Sequence, residues 1–516
     1  MVDLVPINIA SEPGCKRDGT TLESVNYIDN QWCRYQMRKG LPRKMGGYKR
    51  LTNQLSGISR GLNVYNNDLF AYTHSGWSDG VERFILDSLG NVSGITDRTP
   101  VGFTASANNL WQFDLLYQAT LTTSILLAYA APNLEDITSS TQRPVYYGDV
   151  TGVAALTATA SPNVAGGVFA LGPYAVSYDH DGVVNYTATV NDVTAPWDSV
   201  RPTASKLVFG LPIRAGAGNG PSGLIWGVEA LVRMTFVGGT AVWNFDNITS
   251  AYSLLSSQAV IEYDGIYYWP GIDHFLSFNG VIQEVDNGMN SNWFYDNLNY
   301  DYSQKVFAFK IPRWGEIWWC YPRGSATECT HAVIYNVRLS RIFGYGVWYD
   351  VQLPQSGMSA AQFARVFRRP LVTGVDLDSS TSKYKLWEFE FGTDEIDGTS
   401  VRAIQSYFES SFFFGAELQN PTNKSIYIDY IEPDFIQAGD MSVQITGSRS
   451  NARAPDATST PVSFPATATS SDEQVVYLRE QRRQPRIRFE SNTVGGDYEM
   501  GVTLAQVRPG DNRVTS

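Results

Sequence analysis

Met441-Ser442-Val443-Gln444-Ile445-Thr446 alternates apolar and polar side chains without a break. In an extended chain successive side chains point to opposite faces, so this stretch predicts a strand with one face buried and one wet. The same period of two recurs elsewhere. Trp387, Phe389 and Phe391 alternate with Glu388 and Glu390, and Ile426, Ile428 and Tyr430 share one face of a further strand. Asp181-Gly182, Asp264-Gly265, Asn279-Gly280, Asn287-Gly288 and Asp397-Gly398 punctuate these runs, as tight antiparallel turns require. No long stretch carries apolar residues at i, i+3, i+4 and i+7 with caps at both ends. The pattern is that of an all-β protein.

Three regions differ in composition. Residues 1–55 are basic, carry few strand signals and read as a docking segment. Residues 56–400 hold many short strands rich in Trp and Tyr. Residues 401–516 hold longer strands and a polar Ser/Thr/Ala/Pro loop over 448–471. In the central region, turn-bounded groups recur at about 40–50 residues, the spacing of propeller blades. They cover 260–299, 304–349 and 365–398. This predicts a β-propeller of about six blades, followed by a C-terminal β-sandwich or platform. Without a Trp-Asp signature or a regular Gly-Gly pair, a large β-sandwich is the competing architecture.

The chain has 516 residues, a net charge of −12 and 17% charged residues, against ~25% in ordinary soluble domains. It carries 13 Trp, 29 Tyr and 25 Phe, and 43% of its residues are hydrophobic, which excludes wholesale disorder. The opening MVDLVPINIASEPG lacks the basic and apolar regions of a signal peptide. The greasiest segment, residues 124–131, is too short to span a bilayer. A soluble chain with no stable membrane association is expected. Cys15, Cys33, Cys320 and Cys329 do not make a disulfide scaffold. The sequons at Asn91, Asn185, Asn247 and Asn423 mean little without an export signal.

Catalytic signals are thin, and neither an enzyme nor a cofactor is expected. None of His74, His180, His274 and His331 is placed at helical metal-ligand spacing, and Cys320, Cys329 and His331 lack the tight pairs of a zinc site. Gly57-Ile58-Ser59-Arg60-Gly61 has the letters of a nucleophile elbow without the strand before it or the helix after it. Asp179-His180-Asp181-Gly182 and Asp376-Leu377-Asp378 offer carboxylates to calcium but lack the remaining ligands, and hairpin turns explain them better. No phosphate-cradling loop is present.

Charge is more informative. Residues 33–50 hold seven basic residues and no acid, among them Arg38, Lys39, Arg43 and Lys44. A second cluster holds Arg479, Arg482, Arg483, Arg486 and Arg488, relieved by Glu480, and a third Arg365, Arg368 and Arg369. Three readings compete: a solvated or internally paired surface, docking to an acidic partner through Arg forks, and nucleic-acid binding. The last fits poorly with a charge of −12. Arg38, Lys39, Arg43, Lys44, Arg482 and Arg486 are the candidate assembly contacts.

Pro13-Gly14, Arg17-Asp18-Gly19-Thr20, Trp32-Cys33-Arg34-Tyr35 and the run from Gly40 to Tyr48 open a series of short motifs. It continues through residues 210–214, 221–226, 263–271, 278–280, 315–319 and 332–336, and closes with 386–392, 397–398 and the strands bearing Arg482, Arg486 and Arg488. In this order the motifs resemble the tail nozzle proteins of short-tailed bacteriophages, also called tail tubular protein B, and the related packaged-DNA stabilisation hub proteins. The resemblance covers most of the chain and transfers no single functional residue. It implies a structural virion protein of the short tail. The chain would form a homohexameric ring that extends the head-to-tail connector, passes double-stranded DNA at ejection and helps retain packaged DNA. Its partners would be adaptor or connector proteins and tail fibres or spikes. The acidic charge suits a conduit that must not grip phosphates, and low charge with many aromatics suits large subunit interfaces. The alternatives are a glycan-binding propeller and, further off, a propeller glycosidase with two carboxylates ~5–10 Å apart.

Overall fold

The computed structural model describes residues 4–52, 54–66, 69–132, 138–148, 152–156, 163–213, 220–239, 242–413, 425–448, 455–466 and 474–510. Seven sheets follow one another along the chain, over residues 62–97, 110–155, 167–200, 207–249, 261–284, 307–352 and 358–403. The first six are four-stranded antiparallel meanders. An apolar cluster joins each sheet to the next. The final cluster joins Ala364, Leu371 and Leu386 of the seventh sheet to Val64, Phe84 and Leu86 of the first, which closes the ring. This is a β-propeller.

The spacing predicted about six blades; the described residues form seven. Blade lengths vary too much for a fixed period to count them, from 261–284 in blade 5 to 110–155 in blade 2. The group read at 365–398 also begins after the inner strand of blade 7, Met358–Ala364. Gln112 of blade 2 bonds both to the entry of blade 3 and to blade 4, its Nε2 donating to the carbonyls of Gly166 (3.3 Å) and Val208 (2.9 Å).

Blade strands bury both faces. In Glu316–Tyr321, Trp319 packs on Phe275 of blade 5 (centroids 5.1 Å apart), while its neighbour Trp318 packs on Phe389 of blade 7 (5.4 Å). Such a strand reads as a continuous apolar run, without alternation.

Blade 7 is assembled from both parts of the chain. Tyr48–Arg50 pairs antiparallel with Lys383–Phe389 and parallel with Asp394–Asp397. An N-terminal strand thus clasps the ring shut.

Apart from two short pairs, Glu12–Cys15 with Asn26–Tyr27 and Arg143–Pro144 with Asn163–Val164, the remaining strands form a two-sheet sandwich, as expected for the C-terminal region. One sheet centres on Val476–Ser491, which pairs with Ile426–Glu432, Met441–Ser448 and Ser406–Glu409. The other combines Phe435–Ala438 and Asp497–Met500 with Pro42–Lys44 and Cys33–Tyr35. Phe489 of the first faces Phe435 of the second at 5.1 Å. The first 55 residues, read as a docking segment, therefore supply strands to the sandwich and to blade 7.

Met441, Val443 and Ile445 are buried in alternation, as their spacing predicts. Two other patterns need correction. Lys383–Phe389 ends before Phe391, because Glu390 turns to φ +64°. In Ile426–Glu432 a register shift between Ile428 and Tyr430 moves the buried face to Ile431, leaving Tyr430 half-exposed. Most of the polar loop read at 448–471 lies outside the described residues. Among the described residues, no helix is long and apolar enough to cross a membrane.

Candidate functional site

The short strand Cys33–Tyr35 carries the Arg34 side chain, 1% exposed, into the junction of blade 6, blade 7 and the sandwich. Its Nη1 and Nη2 donate to the two oxygens of Glu390 at 2.6 and 2.7 Å, and Nη2 also reaches Glu316 Oε2 at 3.1 Å. Glu316 accepts two further bonds, from Trp318 Nε1 (2.9 Å) and the Tyr349 hydroxyl (2.8 Å). Glu390 accepts one from Trp314 Nε1 (3.1 Å). Burial raises the Glu316 pKa despite the nearby cation. Burial works against the Arg34 charge too, but the two carboxylates outweigh it and hold the guanidinium protonated. Around this ionic centre Trp32 packs on Tyr48, Trp318 and Phe389, with centroids 5.8–6.4 Å apart. Three motifs far apart in sequence, 32–35, 315–319 and 386–392, meet here.

The candidate contacts fare unequally. Arg38 and Lys39 are exposed in the turn between Cys33–Tyr35 and Pro42–Lys44. Arg43 pairs with Glu499 (2.8 Å) and lies over the Trp314 ring (5.0 Å). Lys44 is buried, its Nζ donating to the Gly496 carbonyl (2.7 Å), and burial lowers its pKa. Arg482 is buried and pairs with Glu480 (2.6 Å). Arg486 bridges Glu409 (3.0 Å) and Asp456 (2.6 Å). Lys44, Arg482 and Arg486 thus hold the sandwich together and are not free docking groups. Arg43 and Arg486 looked unpaired in sequence because their acidic partners lie on distant strands, whereas Glu480 stands two residues from Arg482 on its own strand.

Sequence reasoning missed three cations that the fold brings beside Arg43. Arg313 lies over the Trp314 ring at 4.9 Å. Arg338 and Arg341 project from the short helix Val337–Phe343, and Arg338 Nη1 donates to the Arg313 carbonyl (3.2 Å). The three-residue spacing of Arg338 and Arg341 is the only sequence signal, and it is weak.

A cavity of about 450 Å³ lies on the propeller axis. Phe113, Phe209, Phe363 and Leu211 line it, together with Lys310 and Glu262, which form an ion pair at 2.8 Å. Polar bonds cross the axis at this cavity. Gln258, leading into blade 5, donates from Nε2 to the carbonyls of Arg60 (2.9 Å) and Trp111 (3.0 Å) on the opposite side. Gly61 permits this approach, since a Cβ there would lie 2.4 Å from the Trp111 carbonyl oxygen. Among the described residues, these two bonds span the axis beside the cavity.

The remaining motifs are structural. Ser59 is buried and donates to the Gly61 carbonyl (3.0 Å), with no strand-to-helix turn around it. Asp179, His180 and Asp181 come together, but Asp179 is already engaged by Gln142 and the Ala165 and His180 amides in a hairpin turn closed by Gly182 at φ +78°. All four cysteines are free and buried.

No family model matches the chain, and no curated protein matches it. Among solved structures, similarity is found to an exo-β-1,3-galactanase from Phanerochaete chrysosporium (8% identity, 90% of this chain and 100% of that one, TM-score 0.31). Others are the WD40 domain of a Toxoplasma gondii coronin (10%, 67% and 84%, TM-score 0.33) and a putative 6-phosphogluconolactonase from Bacteroides uniformis (12%, 62% and 95%, TM-score 0.37). At these values the likenesses carry no argument about activity, and the propeller rests on its own strands.

Proposed function

We propose that this chain is a structural subunit of a short-tailed phage tail, a nozzle protein that works as a ring of copies around the DNA exit path. One observation carries the reading: motifs 32–35, 315–319 and 386–392, quoted for the family resemblance, converge on the buried Arg34 centre that joins propeller to sandwich. A subunit built to transmit load needs its two bodies fixed at one angle, and a satisfied buried ionic centre imposes that geometry. The bonds across the propeller axis add a constraint. DNA would pass between copies of the chain and not through a blade ring, so the conduit exists only in the oligomer. A head-to-tail contact that closes on itself supplies such a ring. Native mass spectrometry and negative-stain imaging of the chain with connector and adaptor proteins test the proposal. The expected result is a ring on the connector with a channel wider than duplex DNA; a chain that stays monomeric and never joins the connector sinks it.

The axial cavity favours a second reading, a glycan-binding propeller, because Phe113, Phe209 and Phe363 offer ring faces beside the Lys310–Glu262 pair. A glycan array distinguishes it: binding lost in Phe113→Ala and Phe363→Ala would support a sugar site at the axis.

A further inference from the structure

The turn bearing Arg38 and Lys39, the turn bearing Arg313 and Trp314, and the helix bearing Arg338 and Arg341 share one face. Three contacts establish this. A Cβ on Gly40 would meet the Phe343 ring at the end of that helix (2.9 Å). Arg338 bonds the Arg313 carbonyl (3.2 Å). Arg43 and Arg313 both lie over the Trp314 ring, at 5.0 and 4.9 Å. Six cations therefore gather on a chain whose net charge is −12. Two are paired, Arg43 with Glu499 and Arg341 with Asp264 (3.4 Å). Among the described residues, Arg38, Lys39, Arg313 and Arg338 face no carboxylate within salt-bridge distance. Ile342, 55% exposed, stands among them as an apolar anchor.

We infer that this face docks a carboxylate-rich protein surface. Five of the six cations are guanidinium groups, whose planar forks match carboxylates two bonds at a time. Exposed Ile342 among the cations favours a protein over a polynucleotide, whose backbone offers phosphates and sugars to such a patch but no apolar side chain. A carboxylate surface with an apolar centre meets both the forks and Ile342. The inference deepens the subunit reading by naming the chemistry of one contact, but it does not require the ring.

The test uses the full chain as a monomer at low salt, with fluorescent poly-L-glutamate and a labelled DNA duplex as separate probes in anisotropy titrations. The variants are R38E/K39E and R313E/R338E, checked by melting temperature. Poly-glutamate is expected to bind the parent chain, about tenfold more weakly in each double variant, as the loss of exposed pairs implies. The duplex is expected to bind less tightly than poly-glutamate. Poly-glutamate affinity equal in parent and variants at unchanged melting temperature, or absent in the parent, overturns the inference. Tighter binding of the duplex makes this a nucleic-acid surface and also overturns it. Because the readout is a monomer titration, failure here leaves the ring imaging to decide the subunit reading separately.

Discussion

Blade 6 and the first three strands of blade 7 repeat the antiparallel meander of blades 2 to 4 but are held together differently. The first pair shares one apolar cluster with the sandwich and is pinned by Arg34 between Glu316 and Glu390. Blades 2 to 4 meet through aliphatic and aromatic packing, with Gly166 and Gly210 allowing close approach, and through the neutral hydrogen bonds of Gln112 to Val208 and Tyr178. Packing of roughly the right volume stabilises a fold with little specificity, whereas a buried charge tolerates one geometry. The side that carries the sandwich is therefore pinned by a buried ionic centre, and the far side by packing and neutral hydrogen bonds.

The sharpest way to break this comparison is Arg34→Ala. It leaves two buried carboxylates without their cation and is expected to cost about 3–5 kcal/mol, read from the urea midpoint at constant slope. A loss below about 1 kcal/mol would show that the centre is not a fixed point. Next comes Lys44→Glu, which puts a buried anion against the Gly496 carbonyl and is expected to cost about 3 kcal/mol. Lys39→Glu, two strand ends away in the exposed turn, should leave the midpoint unchanged. Equal effects would refute the placement of the two lysines. On the far side, Gly166→Ala drives a Cβ to 2.1 Å from the Leu207 carbonyl oxygen and should cost about 1–3 kcal/mol.

A smaller effect is pH-dependent. Burial, with Arg83 and Arg98 nearby, pushes the His74 pKa down to about 3. The unfolded chain then binds a proton that the folded chain refuses, so stability falls as pH drops below the unfolded value near ~6.5, and continues to fall towards pH 3. His74→Phe should flatten the melting-temperature profile between pH 7 and 4; an unchanged slope assigns the titration elsewhere. Smallest of all is Arg233→Ala in blade 4, whose pair with Asp246 is nearly half exposed on both sides and is worth less than about 1 kcal/mol. A larger loss would mean that surface ions matter on the far side too.

What could be read in advance follows from which faces are wet. Met441–Ser448 lies in a sheet with one solvent-facing side, so its period of two is visible in the letters. Glu316–Tyr321 buries both faces, and its period vanishes into an apolar run. Turn dipeptides marked hairpins such as Asp264-Gly265 correctly, because φ of +52° and +80° there demands those residues. Blade count failed because loops, not strands, set the spacing. The candidate contacts were legible only by residue type. Pairing across the fold, Arg486 with Glu409 or Arg43 with Glu499, has no local signature, so buried and exposed cations looked alike. Arg313, Arg338 and Arg341 were missed for the converse reason: each is ordinary in its own segment, and only the fold gathers them.

The N-terminal clasp has a consequence for synthesis. Tyr48 donates its hydroxyl to Glu395, 347 positions later. At roughly 5–20 residues per second the ribosome needs some tens of seconds to deliver that partner. Throughout this interval Tyr48–Arg50 has no strand to join, and the strands Cys33–Tyr35 and Pro42–Lys44 wait longer still for Asp497–Met500. The segment made first is thus the last to find its place.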